Sequence, residues 1–427
     1  MKKNFVLELK NRKILHDSTP GIEELMEKEI IRGYIGVDPT SDSLHIGNLA
    51  SLMMLTRLQD CGHEPIAVVG GATGMVGDPS GKSAERNLLQ MDELIHNQEG
   101  ISKQIQNLLQ PTKDYQLKPL VLNNYTWYEH FRLLDFLRDV GKNLTVNYMT
   151  AKDSVQKRLE TGLSFTEFSY QLLQAYDFYY LYQNFNCKLQ MGGSDQWGNI
   201  TSGTEMVRRM CQGSAFGITT PLLTKADGTK FGKSETGNIW LDPQKTSPYK
   251  FYQYFVNAAD SDIEKLVMVF SLKELSETEV LLTQHQSQPE LRLGQKSLAE
   301  ELTIRIHGQS AYDRALEVST LLFGNSTIDG LQQLTASEFL DVFEGVPTTQ
   351  LPYSAIEEGI NIVDLLVQMK ASPSKTEARK SVQGGAVKIN KQKVDLIETQ
   401  IKKEFLLNNK YLLVQVGKKS YYIGIIE

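Results

Sequence analysis

Cysteine is scarce: Cys61, Cys187 and Cys211 are the only three in 427 residues, far apart and without a C-x-x-C pair. That argues against a disulfide framework, a structural zinc or a redox dithiol, and a reducing, cytoplasmic setting is expected. Long apolar runs are missing as well. No stretch approaches the ~20 residues that cross a bilayer, and Met1-Lys2-Lys3-Asn4 leads into no signal-peptide core, so no membrane partner is expected. Absent too is any Ser-His-Asp or Cys-His grouping suited to a protein nucleophile. Net charge is small, −6, which taken whole speaks against a polyanionic partner. What remains is an ordinary globular composition, 41% hydrophobic and 22% charged, on a chain too long for one core. Two or three domains follow.

The charge is unevenly spread. From Lys370 onward 12 Lys and Arg face 5 Asp and Glu, so an acidic body carries a basic tail able to draw a polyanion to one end.

Two stretches nearly 200 residues apart carry the chemistry. Tyr34-Ile35-Gly36-Val37 reads as a strand that Asp38-Pro39-Thr40-Ser41-Asp42-Ser43 breaks. An apolar-periodic helix then runs to about Asp60, with Asp42 or Ser43 as its cap. His45 falls in the first turn, where unpaired N–H groups and the positive dipole end favour a phosphate. Gly47 has no Cβ, which leaves room for a base or sugar against the backbone. The strand-like Pro65-Ile66-Ala67-Val68-Val69-Gly70 completes a βαβ unit and hence a parallel sheet. The second stretch, Lys230-Phe231-Gly232-Lys233-Ser234, closes a loop of turn formers and presents two ammonium groups on a pliable segment.

Between them, Gly70 to Ser83 tempts a phosphate-loop reading, but counting back from Gly81-Lys82-Ser83 puts Val76 where that motif needs glycine. A lid or wall fits better, with Asp78, Lys82 and Arg86 facing charged groups. Tyr170, Gln174 and Asp177 stand at i, i+4 and i+7 of a helix that is otherwise largely apolar or aromatic. Such a buried polar seam must find partners, and a ligand can supply them. Gly192-Gly193-Ser194-Asp195-Gln196 forms a second strand-to-helix turn of ligand-binding type. Residues beyond 245 are mostly helical, Val346 to Pro352 reads as a proline-flanked linker, and the tail as two short helices and a hairpin.

In this order and separation the two stretches, with Gly192 to Asn199, resemble the paired signatures of class I aminoacyl-tRNA synthetases, and specifically the bacterial tyrosyl family, over essentially the whole chain. The resemblance implies an α/β fold: a Rossmann-like nucleotide-binding parallel sheet over 1–245, with a connecting and dimer-forming region near 123–165. An all-α domain over 246–345, a linker at 346–354 and a small α+β alpha-L RNA-binding module over 355–427 would follow. It further implies activation of L-tyrosine by ATP with Mg2+, transfer to tRNA(Tyr), a homodimer, and no prosthetic group or zinc. Thr40, His45, Lys82, Arg86, Lys230 and Lys233 would stabilise charge on the departing pyrophosphate. Tyr34 and Asp177 would meet the phenol, and Tyr170, Gln174 and Asp78 the ammonium, with Gln196 near the carboxylate. ATP would lie against Asp38, Gly47, Asn48, Gly192, Asp195 and Lys233, and RNA against Lys375, Arg379, Lys380 and Lys388.

Two positions depart from the family pattern: Asn48 replaces a usual His, and Phe231-Gly232 a usual Met-Ser. The rivals are a tryptophan enzyme of the same class and a non-catalytic RNA-binding protein on the same fold. Pairing of Tyr34 with Asp177 suits a phenol better than an indole, which offers only a donor N–H. Retention of His45, Asp195, Lys230 and Lys233 speaks for catalysis.

Overall fold

The computed structural model describes residues 3–427 except 81–88, 110–118, 160–161, 225–230, 235–236, 324–330 and 418–419. Lys82, Arg86 and Lys230 therefore lie outside the described residues, and of Lys233 only the backbone is described. The chain forms two compact units, 1–246 with 253–306, and 247–252 with 307–427.

The first unit is built on six strands: β1 (Asp17–Ser18), β2 (Arg32–Val37), β3 (Glu64–Val69), β4 (Leu120–Asn123), β5 (Cys187–Gly193) and β6 (Phe216–Thr220). Their order is β1-β6-β5-β2-β3-β4, with β1 antiparallel to β6 and all other pairs parallel. Five of the six residues of β3 are buried, as expected for a strand covered on both faces. The chain runs outward from β2 through β3 to β4, then returns to the other side of β2 as β5 and β6. The strand order thus reverses between β2 and β5, and the crevice at their carboxyl ends is where this kind of sheet takes a ligand. The expected α/β parallel sheet is what forms.

Helices within 253–306 group with this sheet rather than with the residues that follow them. The reason is polar as well as apolar. Arg57, buried on the Ile46–Asp60 helix, donates to the carbonyls of Val269 at 3.1 Å and Ser271 at 2.9 Å. Arg12 also reaches the Ser271 carbonyl, at 3.3 Å. Those carbonyls end the Asp260–Phe270 helix, so two buried guanidinium groups satisfy its orphan acceptors. Among the described residues no helix is long and apolar enough to cross a membrane.

In the second unit β9 (Thr348–Leu351), β11 (Val387–Ile389), β12 (Gln392–Val394), β14 (Tyr411–Val416) and β15 (Ser420–Ile426) form one sheet in the order β12-β11-β14-β15-β9. A separate pair joins β10 (Ile360–Asn361) to β13 (Gln400–Ile401). Residues Leu351, Ile362, Leu366, Val382, Val387 and Val414 belong to its closed apolar core. The expected linker is corrected here. Thr348 to Leu351 is a strand, parallel to Ile423–Ile426, and Leu351 is buried. Pro347 and Pro352 bracket an edge strand, where a missing N–H costs nothing, rather than marking a loose connection.

Candidate active site

The Asp38–Asn48 stretch leaves the carboxyl end of β2, but its helix starts later than expected. The cap is His45 itself, with φ −119° and ψ 170°, in place of Asp42 or Ser43. Asp42 is drawn to Lys245, which lowers its carboxyl pKa, and the Ser43 hydroxyl donates to the Leu44 carbonyl at 2.9 Å. Nδ1 of His45 accepts the N–H groups of Gly47 at 3.1 Å and Asn48 at 3.3 Å, and Oδ1 of Asn48 accepts the N–H of His45 at 3.1 Å. A Cβ on Gly47 would lie 2.8 Å from Cε1 of His45. The space that glycine leaves at position 47 is thus taken by the folded-back imidazole.

The lysine stretch comes to the same place. Ile46 N–H donates to Ile239 O at 3.0 Å and Leu241 N–H to Leu44 O at 2.8 Å, a short antiparallel bridge between the first signature and the segment that follows the second. The Trp240 ring lies 5.9 Å from that of His45. Upstream, Lys233 and Ser234 (β7) pair with Gly237 and Asn238 (β8). Phe231 packs on Tyr254 and Phe270, both at 5.6 Å, and the Tyr254 hydroxyl accepts the Gly232 N–H at 3.3 Å. A cavity of about 410 Å3 is lined by His45, Gly47 and Asn48 from one signature, Phe231 from the other, and Gly193 and Asp195 from the end of β5. Leu222, Leu223 and Thr224 complete its far wall. The two glycines that end β5 leave room for neighbouring side chains: a Cβ on Gly193 would lie 2.7 Å from Asp195 Oδ1, and on Gly192 3.2 Å from Gln196 Cβ.

Deeper in the crevice the Phe165–Phe185 helix supplies the polar seam. Its start is fixed by a capping box, Ser164 with Glu167, and Glu167 is also held by Arg158 in a buried ion pair at 2.8 Å. Asp177 is 4% exposed and accepts Trp127 Nε1–H at 2.8 Å and Asn124 Nδ2–H at 3.1 Å. Burial pushes its carboxyl up to about 7 against those two hydrogen bonds. Tyr34, on β2, is 1% exposed, and its hydroxyl finds no hydrogen-bond partner among the described residues. Burial and then the charge of Asp177 raise its pKa well above the ordinary phenol value.

Tyr170 and Gln174 face a second polar web. The Tyr170 hydroxyl donates to Asp38 Oδ2 at 3.0 Å, while Thr73 Oγ1 donates to the other oxygen at 2.8 Å. Gln174 Nε2 reaches Gln196 Oε1 at 3.4 Å, and Gln196 Nε2 donates to Asp78 Oδ2 at 2.7 Å. Asn199 joins them, donating to Gln174 Oε1 at 3.0 Å.

The crevice thus brings together Tyr34, Asp38, Asp78, Tyr170, Gln174, Asp177 and Gln196 on one side. His45, Gly47, Asn48, Gly193 and Asp195 stand on the other. Thr40 is exposed on the connecting loop, its N–H on the Asp38 carbonyl at 2.9 Å. In the second unit Lys375, Arg379, Lys380 and Lys388 are exposed, Lys375 paired with Asp364 at 2.6 Å. Sequence reading missed Thr73, Asn124, Trp127, Asn199 and Trp240. A usable signal was position: Asn124 and Trp127 directly follow β4, a third parallel strand whose carboxyl end opens on the same side.

A family model for class I tRNA synthetases (W and Y) matches residues 26–324, and one for a tyrosine--tRNA ligase SYY-like C-terminal domain matches 338–424. The tyrosine--tRNA ligase of Bacteroides thetaiotaomicron is 54% identical over 99% of this chain and 100% of its own length. That of Cytophaga hutchinsonii is 55% identical over 99% of both. A C-terminally truncated mitochondrial tyrosyl-tRNA synthetase of Aspergillus nidulans superposes with a TM-score of 0.67 at 30% identity, over 75% of this chain and 94% of that one. The tyrosyl-tRNA synthetase of Archaeoglobus fulgidus, solved with L-tyrosine, shares the fold at 19% identity and a TM-score of 0.54, over 74% of this chain and 100% of that one. The chain belongs to the tryptophan and tyrosine family of class I tRNA synthetases.

Proposed function

We propose that the chain is a tyrosine--tRNA ligase working in two steps. The tyrosine carboxylate attacks the α-phosphorus of Mg-ATP, the bond to the β-phosphate oxygen breaks, and pyrophosphate leaves. A ribose hydroxyl of the terminal adenosine of tRNA(Tyr) then attacks the acyl carbon of the adenylate, and AMP leaves. The observation that carries the amino-acid assignment is the buried Tyr34 hydroxyl, without a partner among the described residues, whose pKa is raised further by the Asp177 carboxylate. A substrate phenol supplies the acceptor that the Tyr34 hydroxyl lacks and adds a donor to those Asp177 already has from Trp127 and Asn124. Phenylalanine leaves the Tyr34 hydroxyl without a partner. A site built to bond a hydroxyl rejects the analogue lacking it strongly enough that no editing domain is needed. At the other end Asp78, Gln174 and the Tyr170 hydroxyl suit an ammonium.

The nucleotide takes the cavity beside His45, Asn48, Gly193 and Asp195. Thr40 and His45, with Lys82, Arg86, Lys230 and Lys233, stabilise the growing charge on pyrophosphate, so catalysis is positioning and electrostatics. The basic face bearing Arg379, Lys380 and Lys388 takes the tRNA backbone. The homodimer reading is supported by apolar side chains left open on the 123–165 region, Leu133 at 71% exposure, Leu134 at 76% and Val146 at 63%. Three free cysteines, two of them buried, suit a reducing cytoplasm. The test is pyrophosphate exchange into ATP with each amino acid in turn. Exchange with tyrosine alone is expected; exchange that runs equally with phenylalanine or tryptophan removes the pocket assignment.

A further inference from the structure

Four oxygen atoms converge on the side-chain amide of Asn199, a buried residue of the Trp197–Cys211 helix. Its Nδ2 lies 3.0 Å from Gln174 Oε1, 3.2 Å from Ser80 Oγ, 3.3 Å from Gln196 Oε1 and 3.5 Å from Asp78 Oδ1. An amide nitrogen carries two protons, so it cannot serve all four acceptors. The direction of this web is fixed at Asp78, whose carboxylate can only accept. Its Oδ1 takes the Ser80 N–H at 2.9 Å and its Oδ2 the Gln196 Nε2–H at 2.7 Å. Gln196 then has its Oε1 turned toward Gln174 Nε2, at 3.4 Å, and Gln174 in turn presents its own Oε1 to Asn199. Nearby, the Tyr170 hydroxyl spends its proton on Asp38, which leaves its oxygen as an acceptor too. An excess of acceptors over protons is what a primary ammonium, with three donors and no acceptor, makes good.

We propose that Asn199 is a positioning residue for the substrate ammonium: it fixes the Gln174 amide so that its oxygen, and not its NH2 group, is the atom available to a cation. The oxygen has two lone pairs, so it can keep the Asn199 bond and accept from the ammonium as well. Of the two bonds that orient the Gln174 amide, the one from Asn199 is the shorter; the other, at 3.4 Å, is too long to hold it alone. Without Asn199 the amide is able to turn and set its NH2 group against the cation, where two donors oppose each other. Alanine at position 199 is the better helix former, so the helix itself is kept.

The ammonium is that of the proposed tyrosine substrate, so this assignment rests on the ligase reading, and the experiment separates the two. Calorimetric titration measures the binding of L-tyrosine, tyramine and desaminotyrosine to the wild type, Asn199→Ala, Gln174→Glu and the double variant. All three ligands carry the phenol, and only desaminotyrosine lacks the ammonium. Asn199→Ala is expected to weaken tyrosine and tyramine about five- to tenfold, the size of one hydrogen bond, and to leave desaminotyrosine within about twofold of the wild type. Unchanged desaminotyrosine binding also shows that the variant is folded. Glutamate at position 174 has an oxygen at either end and no NH2 group to turn the wrong way. On that background Asn199→Ala should therefore cost tyrosine less than about twofold. Equal weakening of all three ligands by Asn199→Ala, no weakening of any, or the same loss of tyrosine on both backgrounds overturns the inference and leaves Asn199 as a packing residue. A wild type that binds none of the three overturns the ligase reading and the inference with it, whereas a wild type that binds them and fails only in the variant comparison overturns the inference alone.

Discussion

Replacing Tyr34 by Phe should make the ligand-free protein more stable and the enzyme worse at choosing its substrate. The side chain is 1% exposed, its ring packs edge-on against Phe178 at 5.3 Å, and its hydroxyl has no hydrogen-bond partner among the described residues. Phenylalanine keeps the ring contact and removes only the oxygen. A buried polar group without a partner costs about 1–3 kcal/mol, so removing it should recover part of that amount. For a unit of about 300 residues each kcal/mol moves the thermal midpoint by about 1.6 °C, giving an expected rise of up to about 5 °C. With tyrosine bound the argument reverses, because the substrate hydroxyl loses a partner. One hydrogen bond of about 1–1.5 kcal/mol then lowers the preference for tyrosine over phenylalanine roughly five- to tenfold. Calorimetric melting with and without saturating tyrosine, beside exchange rates for both amino acids, reads the two effects separately. A Tyr34→Phe variant that melts below the wild type without ligand and keeps its full preference for tyrosine would refute the reasoning, since the hydroxyl would then be paired inside the protein.

Asp177, held at about 7 by burial, should make tyrosine binding pH-dependent, because only the ionised carboxylate can accept from Trp127, Asn124 and a phenol together. Affinity should fall by up to about tenfold per unit below pH 7, and a flat profile from about pH 6 to 8 would exclude this. Stability moves the opposite way: between 3.8 and about 7 the folded state holds a proton that the unfolded state has released, so the contribution of Asp177 to stability declines as pH rises through that window. Arg158→Ala should destabilise the first unit by about 3–5 kcal/mol, because it strands the buried carboxylate of Glu167; denaturant titration reads it, and a change below about 1 kcal/mol would mean water already reaches the pair. Lys233→Ala should cut the exchange rate by at least about tenfold while leaving tyrosine binding nearly unchanged, as a group acting on the leaving pyrophosphate does; equal damage to both would point to a structural role.

Whatever depended on neighbours in sequence was legible, and whatever depended on a distant segment was not. The run from Ile66 to Val69 is an example of the first kind: it reads as a covered strand from composition alone, and it is one. Tyr170, Gln174 and Asp177 announce a shared face by spacing, and Tyr170 and Asp177 are buried on it. The helix cap shows the second kind. Asp42 and Ser43 are better caps than histidine by propensity, yet Asp42 is claimed by Lys245 and the Ser43 hydroxyl by the next carbonyl. Strand β9 was missed for the same reason, since its partner Ile423–Ile426 lies at the far end of the chain.

The same distinction explains why the site itself was only half visible. Residue types for binding a phenol or a phosphate can be read one at a time, but the state of each group is set by donors from other strands. The protonation of Asp177 is set by burial, which favours the neutral carboxyl, against the hydrogen bonds from Trp127 and Asn124 beyond β4, which favour the carboxylate. His45 owes its register to Ile239 and Leu241, which the lysine stretch delivers. A signature motif is therefore a set of side chains whose chemistry is completed by the sheet: the strand order reverses between β2 and β5, and that reversal is what lets loops from β2, β4 and β5 converge on one crevice. The lysine stretch reaches the crevice by a different route, because β7 and β8 pair with each other and belong to a separate sheet. A change at Lys233 therefore leaves untouched the strands that carry Tyr34 and the donors to Asp177, and this separation is why rate and tyrosine affinity should part company in that variant.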